Sequence, residues 1–151
     1  MKIIVACDEE RGIGKDGTIP WMGRYPEDLK FFRAQTLGFE VIMGRKTMES
    51  LKCKPLIKRK NWVLTSQSLI PKGFHRVASF EEVVQKCSKS AWIIGGESVY
   101  NKALELEIVD KIVMTNIPGK YNCDRHFPSL SSRWTMINQT RHHILNISYY
   151  S

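Results

Sequence analysis

The fold class that the sequence predicts is α/β, a mostly parallel central sheet with helices on both faces, and three observations predict it. Short β-rich apolar runs alternate with helical patterns along the whole chain, as a sheet covered by helices requires. Several of these runs are continuously apolar rather than alternating, which suits strands buried on both faces. The chain has 151 residues and no linker or repeat, so one domain spanning residues 1–151 holds them all. In order, residues 3–7 form the first apolar run, followed by 41–43, 62–64, 92–94 and 112–114. Residues 26–35 read as a helix, with Pro26 at its first position and Glu27 and Asp28 favoured by the dipole of the first turn. Ser79-Phe80-Glu81-Glu82 is a capping box opening a helix to about residue 87, and a further helix follows Gly96 to about residue 106. These helices supply the crossovers that parallel strands need, and ligands then bind beyond the carboxyl ends of the strands.

Composition is that of an ordinary globular protein, with 42% hydrophobic and 25% charged residues and a mean hydropathy of -0.29. This excludes disorder, collagen-like repeats and membrane spans. Charge is the unusual feature: 23 Lys plus Arg against 15 Asp plus Glu leave a net +8, which predicts an anionic partner without naming it. Cys7, Cys53, Cys87 and Cys123 stand singly, so neither zinc nor a redox dithiol is indicated. The apolar run at the start is too short for a signal peptide, and a cytoplasmic protein is expected. The sequons at Asn138 and Asn146 then read as chance composition.

Five segments carry chemistry. Asp28 precedes Phe31 and Phe32 by three and four residues, so its carboxylate projects toward an aromatic helix face. It is either a simple helix-start acid or a partly buried acid of raised pKa that anchors a protonatable heterocycle. In Trp92-Ile93-Ile94-Gly95-Gly96-Glu97-Ser98-Val99-Tyr100, a buried strand enters two glycines and then a helix, whose free N–H groups attract negative charge. Val41-Ile42-Met43-Gly44-Arg45-Lys46-Thr47 places two cations and a hydroxyl after a strand, and Thr65-Ser66 adds hydroxyls at the equivalent level. The basic run Lys52, Lys54, Lys58, Arg59, Lys60 is interrupted by Pro55-Leu56-Ile57 rather than by stackable aromatics. Its apolar interruption suggests a loop packed on something while Arg59 grips a carboxylate. The glycine-rich segment from Arg11 to Trp21 reads as a mobile lid or a plain surface loop.

Six segments in this order and at these spacings resemble dihydrofolate reductase. They are Ile13-Gly14 through Ile19-Pro20-Trp21, Pro26-Glu27-Asp28-Leu29, Val41 to Thr47, Arg59-Lys60-Asn61, Ile94-Gly95-Gly96, and Asp124-Arg125-His126-Phe127-Pro128. The resemblance implies hydride transfer from NADPH to dihydrofolate, with protonation of the neighbouring ring nitrogen to give tetrahydrofolate for one-carbon metabolism. It implies a catalytic group of Asp28, Trp21, Thr115 and Tyr100, with Asp28 on the pterin, Thr115 supporting it and Trp21 holding a water. Leu29, Phe32, Leu51 and Leu56 would wall the substrate, Arg59 would hold its glutamate tail, and Ile4, Val5 and Ile94 would line the pterin end. On the cofactor side Ala6, Ile13, Gly14 and Ile19 would close over the nicotinamide. Gly95, Gly96, Glu97, Ser98, Val99 and Tyr100 would surround the pyrophosphate, and Gly44, Arg45, Lys46, Thr47, Thr65 and Ser66 would face the adenosine, with Arg45 and Ser66 at its 2′-phosphate.

The resemblance also implies a C-terminal antiparallel hairpin, for which residues 134–140 and 142–150 are available. Glu97-Ser98 stand where relatives often have a glycine and a basic residue, so one phosphate contact is missing. The expected protein is a monomer with dihydrofolate as its partner and neither nucleic acid nor membrane. The alternatives are a reductase of the same fold acting on a pyrimidine or flavin precursor, and a nucleic-acid-binding or structural protein.

Overall fold

The computed structural model describes residues 1–151. Its elements are β1 (Lys2–Cys7), β2 (Gly12–Gly14), α1 (Pro26–Thr36), β3 (Glu40–Gly44), α2 (Arg45–Ser50), β4 (Lys60–Leu64) and β5 (Phe74–Val77), followed by α3 (Phe80–Lys86), β6 (Trp92–Gly95), α4 (Glu97–Glu105), β7 (Lys111–Asn116), β8 (Arg125–His126), β9 (Met136–His142) and β10 (Leu145–Tyr150). Eight strands form one sheet in the order β5, β4, β3, β6, β1, β7, β10, β9. The first six are mutually parallel, and β10 runs antiparallel to both β7 and β9.

The continuously apolar runs are buried on both faces because successive side chains point to opposite sides of the sheet. Ile3, Val5, Ile42, Ile93, Ile112 and Met114 enter one core with Val83 of α3 and Val99, Tyr100 and Ala103 of α4. Ile4, Val41, Met43, Val63 and Val113 enter the other, against Met48 of α2 and the partly buried Phe31 and Phe32 of α1. Helices therefore cover both faces, two on each.

Local signals behave as their chemistry requires. Ser79 caps α3 by accepting a hydrogen bond from the Glu82 amide at 3.2 Å. The Glu82 carboxylate reaches back to the Ala78 amide (3.1 Å), one residue before the position a capping box uses. At the chain end β10 is locked to β7, with Leu145 and Ile147 almost fully buried. A one-residue slip would turn both side chains to the other face, so this register sets the hairpin. His142 consequently belongs to β9 rather than to the last strand, and the turn falls at His143 and Ile144. Trp134 and Thr135 precede β9, and Thr135 exchanges two backbone hydrogen bonds with Ser151 at 3.0 Å.

Short elements escape the sequence patterns. β5 is a four-residue strand, α2 has six residues, and β2 pairs with β8 outside the main sheet. That small pair tethers the glycine-rich segment to residues 125–126. Asp8 organises it from below. Its buried carboxylate accepts hydrogen bonds from the amides of Glu10 (2.9 Å), Gly12 (2.7 Å) and Tyr121 (3.0 Å). A Cβ at residue 12 would lie 2.5 Å from Cys123, so only glycine allows this approach.

Burial alone would raise the Asp8 pKa, but the amides of Gly12, Tyr121 and Glu10 outweigh it and hold the carboxyl below its usual value. A folded pKa below the unfolded one means that the stabilisation is complete above the unfolded value of about 3.9 and is lost as pH falls through the folded value. Asp8→Asn is expected to lower the urea midpoint at neutral pH, with the deficit shrinking on acidification through the carboxylate range. A deficit that does not change with pH would show that the charge of Asp8 is irrelevant.

Candidate active site

The sheet opens where β1 and β6 separate. These strands pair only at Lys2 with Trp92 and Ile3 with Ile93, whereas β1 stays paired with β7 as far as Cys7. Beyond Ile3 the β1 carbonyls on that side have no strand partner. The Tyr100 hydroxyl of α4 donates to the Ile4 carbonyl at 2.9 Å. Its ring lies edge-on to Phe127 at 5.2 Å. Burial, and then the neighbouring Cys7, hold this phenol protonated, far above the usual range.

On the α1 side, Ile19, Trp21, Met22, Gly23, Tyr25, Asp28 and Leu29 line a small cleft open to solvent. Trp21 is buried, with its ring edge-on to Tyr121 at 5.3 Å. Asp28 sits in the first turn of α1 and is half-buried. Desolvation raises its pKa, while the Thr115 hydroxyl, and more weakly His142, favour the charged form, and Glu27 opposes it. Thr115 is buried at the middle of the sheet, opposite Ala6 on β1 and Ile147 on β10. Of the two readings of Asp28, the structure thus has the partly buried acid of raised pKa.

The substrate-side group also comes together. Phe32, Leu51, Leu56 and Ile94 pack at the edge of the second core, while Leu29 is exposed at the cleft rim. The Ile4 and Val5 side chains are core, so only their backbone is offered to the cleft. Arg59 reaches over Phe32, 5.9 Å from the ring centroid. Its Nε donates to the Ile57 carbonyl (3.0 Å) and Nη1 to the Thr36 hydroxyl (2.9 Å), leaving Nη2 without a protein partner. Burial and the nearby Arg33 charge both pull the Arg59 pKa down. A residue quoted only as part of a motif, Asn61, makes this possible. Its buried carboxamide bonds Leu56 at both backbone groups (2.9 and 3.0 Å) and the Arg59 carbonyl (2.8 Å), folding the basic run into a loop.

On the opposite side, Gly44 pairs with Leu64, so Arg45 at the start of α2 lies level with the buried Thr65 and the exposed Ser66. Lys46 is exposed. Gly95 has φ +141°, a conformation suited to glycine, and a Cβ there would stand 3.1 Å from Thr47 Oγ1. A Cβ at Gly44 would meet Val99 at 3.0 Å. Glu97 turns its carboxylate to the His126 amide (3.0 Å), so the acid after the glycine pair is engaged by β8. Ser98 is exposed on the first turn of α4. Ile13 and Gly14 are half-buried within β2, and Ile19 is exposed at the cleft mouth. The glycine-rich segment is therefore tethered at one end by β8 and at the other by the buried Trp21.

The family described as Dihydrofolate reductase matches residues 1–149. This chain belongs to the dihydrofolate reductase family. It is 37% identical over 142 residues to the dihydrofolate reductase of Bacillus subtilis, covering 91% of this chain and 82% of that protein. To the enzyme of Neisseria gonorrhoeae it is 36% identical over 148 residues, covering 95% and 89% respectively. A solved dihydrofolate reductase from Enterococcus faecalis, complexed with NADP(H) and RAB-propyl, superposes with a TM-score of 0.86 at 28% identity, covering 99% of this chain and 94% of that one. Family membership makes the chain an oxidoreductase acting on dihydrofolate, and these matches do not favour the pyrimidine, flavin-precursor or non-catalytic alternatives.

A carboxyl group whose folded pKa lies above its unfolded one stabilises the fold only below the unfolded value, and that contribution is lost as pH rises through the folded pKa. Asp28 therefore costs the unliganded dihydrofolate reductase stability at neutral pH. Asp28→Asn is expected to raise the urea midpoint at pH 7, with the gain growing from acid toward neutral pH and then levelling off. A variant less stable than the parent at pH 7 would show that the carboxylate is structural rather than held for ligand.

Proposed function

We propose that the cleft beside α1 reduces dihydrofolate with NADPH, and that the observation carrying this is the half-buried Asp28 in the cleft lined by Trp21, where the Thr115 hydroxyl favours its charged form. An ionised carboxylate there is poised to accept hydrogen bonds from the amino and ring N–H groups of the pterin, which replace the water it has lost. The Thr115 hydroxyl favours its charged form. Trp21 walls the cleft, with room beside it for an ordered water. Asp28 binds the pyrimidine edge away from the nitrogen that is protonated, so the proton arrives from solvent past the exposed Ile19 and Met22 at the rim. Arg59, with Nη2 free, takes the glutamate carboxylate.

NADPH supplies the hydride; the protein binds, orients and excludes water. The residues fit that cofactor. The glycine pair leaves backbone space that a side chain at Gly95 would fill against Thr47, and α4 presents its first N–H groups beside it. Ala6, Ile13, Gly14 and Ile19 border the nicotinamide end, with Gly96, Ser98, Val99 and Tyr100 at the pyrophosphate. Arg45, Lys46, Thr47, Thr65 and Ser66 serve the adenosine. Tyr100 keeps the Ile4 carbonyl in place as a permanently protonated donor.

The reading takes the protein to act as a monomer. No helix is long and apolar enough to cross a membrane. All four cysteines are free, which is in keeping with a reducing, cytoplasmic setting. The basic run is folded around Asn61 with Arg59 turned to the cleft, which speaks against a nucleic-acid surface.

Spectrophotometric NADPH consumption with dihydrofolate as acceptor tests the reading directly. Asp28→Asn is expected to lower the rate at neutral pH by about 10²–10³-fold with the fold intact, and an unchanged rate would remove Asp28 from the mechanism. Arg59→Ala is expected chiefly to raise KM for dihydrofolate. An equal rise for a pterin substrate without the glutamate tail would show that the arginine serves something else.

A further inference from the structure

The side chain best placed to select between phosphorylated and unphosphorylated cofactor is itself held by a carboxylate. Arg45 begins α2 and Glu49 stands one turn later on the same helix. Both carboxylate oxygens of Glu49 accept from the same guanidinium nitrogen, Arg45 Nη1, at 3.1 and 2.9 Å. The pair occupies one corner of the fork only. Nε and Nη2, the edge that binds a phosphate or carboxylate bidentately, make no hydrogen bond within the chain. The neighbouring cations are arranged differently: Arg76 already donates to the Ser66 carbonyl at 3.2 Å, and Lys46 has no ion-pair partner.

We propose that Glu49 is a positioning residue for cofactor selection, holding Arg45 so that its free edge meets the 2′-phosphate of NADPH. This rests on the placement of the 2′-phosphate at Arg45 and Ser66. The physical reason is entropy. An arginine with several rotatable bonds, about two-fifths exposed, loses much of its freedom on meeting a phosphate. Glu49 takes part of that loss in advance through a geometry that leaves the receiving edge open. A carboxylate near a phosphate also repels it. Here its charge is already matched by the guanidinium, which the phosphate approaches from another edge, and water screens the residual repulsion across the exposed surface. NADH has no 2′-phosphate and gains nothing from the arrangement, so Glu49 acts on the ratio of affinities rather than on both cofactors alike.

The test is calorimetric binding of 2′,5′-ADP and 5′-ADP to the full chain, accompanied by the ratio of kcat/KM for NADPH and NADH. Arg45→Ala is expected to collapse the preference for 2′,5′-ADP. If it does not, the phosphate lies elsewhere, and both the placement and the role of Glu49 fail. With Arg45 present, Glu49→Ala is expected to weaken 2′,5′-ADP about two- to fivefold while leaving 5′-ADP unchanged. Glu49→Gln, which can still accept from Nη1, is expected to restore part of the loss. In the Arg45→Ala background, Glu49→Ala is expected to have no further effect on the preference. Tighter 2′,5′-ADP binding in both Glu49 variants would mean that repulsion dominates, and equal weakening of both ligands would mean that Glu49 only supports α2. A persisting effect without Arg45 would mean that it does not act through the guanidinium. Each of these three results overturns the proposal.

Discussion

The Tyr100 hydroxyl bonded to the Ile4 carbonyl is the contact on which the site depends. β1 and β6 part after two residue pairs, and a parallel sheet that parts in its middle exposes backbone acceptors to a dry interior. A phenol buried in the adjacent core satisfies one of them without closing the gap. The separation is tolerated because both flanks remain paired, β1 with β7 and β6 with β3. Everything in the cleft is hung from this opening. Gly95 and Gly96 follow β6 on one side of the gap, and Thr115 pairs with Ala6 across β1 on the other.

Two aspartates show how environment decides what a carboxyl group does. Asp8 is the more buried of the two by surface exposure, yet three backbone amides hold its pKa down, and it serves as a fixed anchor under the lid. Asp28 has the Thr115 hydroxyl as its principal favourable partner, so desolvation wins and its pKa rises. The acid held by three amides is charged and anchors the fold; the one with fewer fixed partners carries the raised pKa.

The net charge of +8 also acquires a distribution. Arg59 is aimed over Phe32 by Thr36, Ile57 and Asn61, and Arg45 is held by Glu49. Both guanidinium groups keep free donors, Nη2 in Arg59 and Nε and Nη2 in Arg45. Most of the other basic residues are exposed and supply a general positive field, which draws anions faster at low ionic strength.

The amino-acid sequence by itself determined the parallel core and the helices α1, α3 and α4, and it singled out Ile19, Trp21, Asp28 and Leu29 of the cleft lining but not Met22, Gly23 or Tyr25. Runs such as Ile3 to Cys7 and local signals such as Pro26 and Ser79 act over a few residues, and that range is what a linear pattern contains. β5, α2 and the β2 and β8 pair were decided only by tertiary structure, because these short segments carry neither a continuous apolar run nor a capping signal and are stabilised by neighbours far away in the chain. The exact strands of the closing hairpin depended on the burial of Leu145 and Ile147 against β7. Asp8 and Asn61 were present in the sequence as ordinary polar residues. An aspartate two and four residues before the amides it binds is a local turn signal, but the third amide, from Tyr121, lies 113 residues away. The carboxylate of Asp28 was legible from its helical spacing to Phe31 and Phe32, whereas its raised pKa required the fold to desolvate it in the cleft, against the opposing effect of the Thr115 hydroxyl. Electrostatic character is a property of distance in space, and the chain order does not contain those distances.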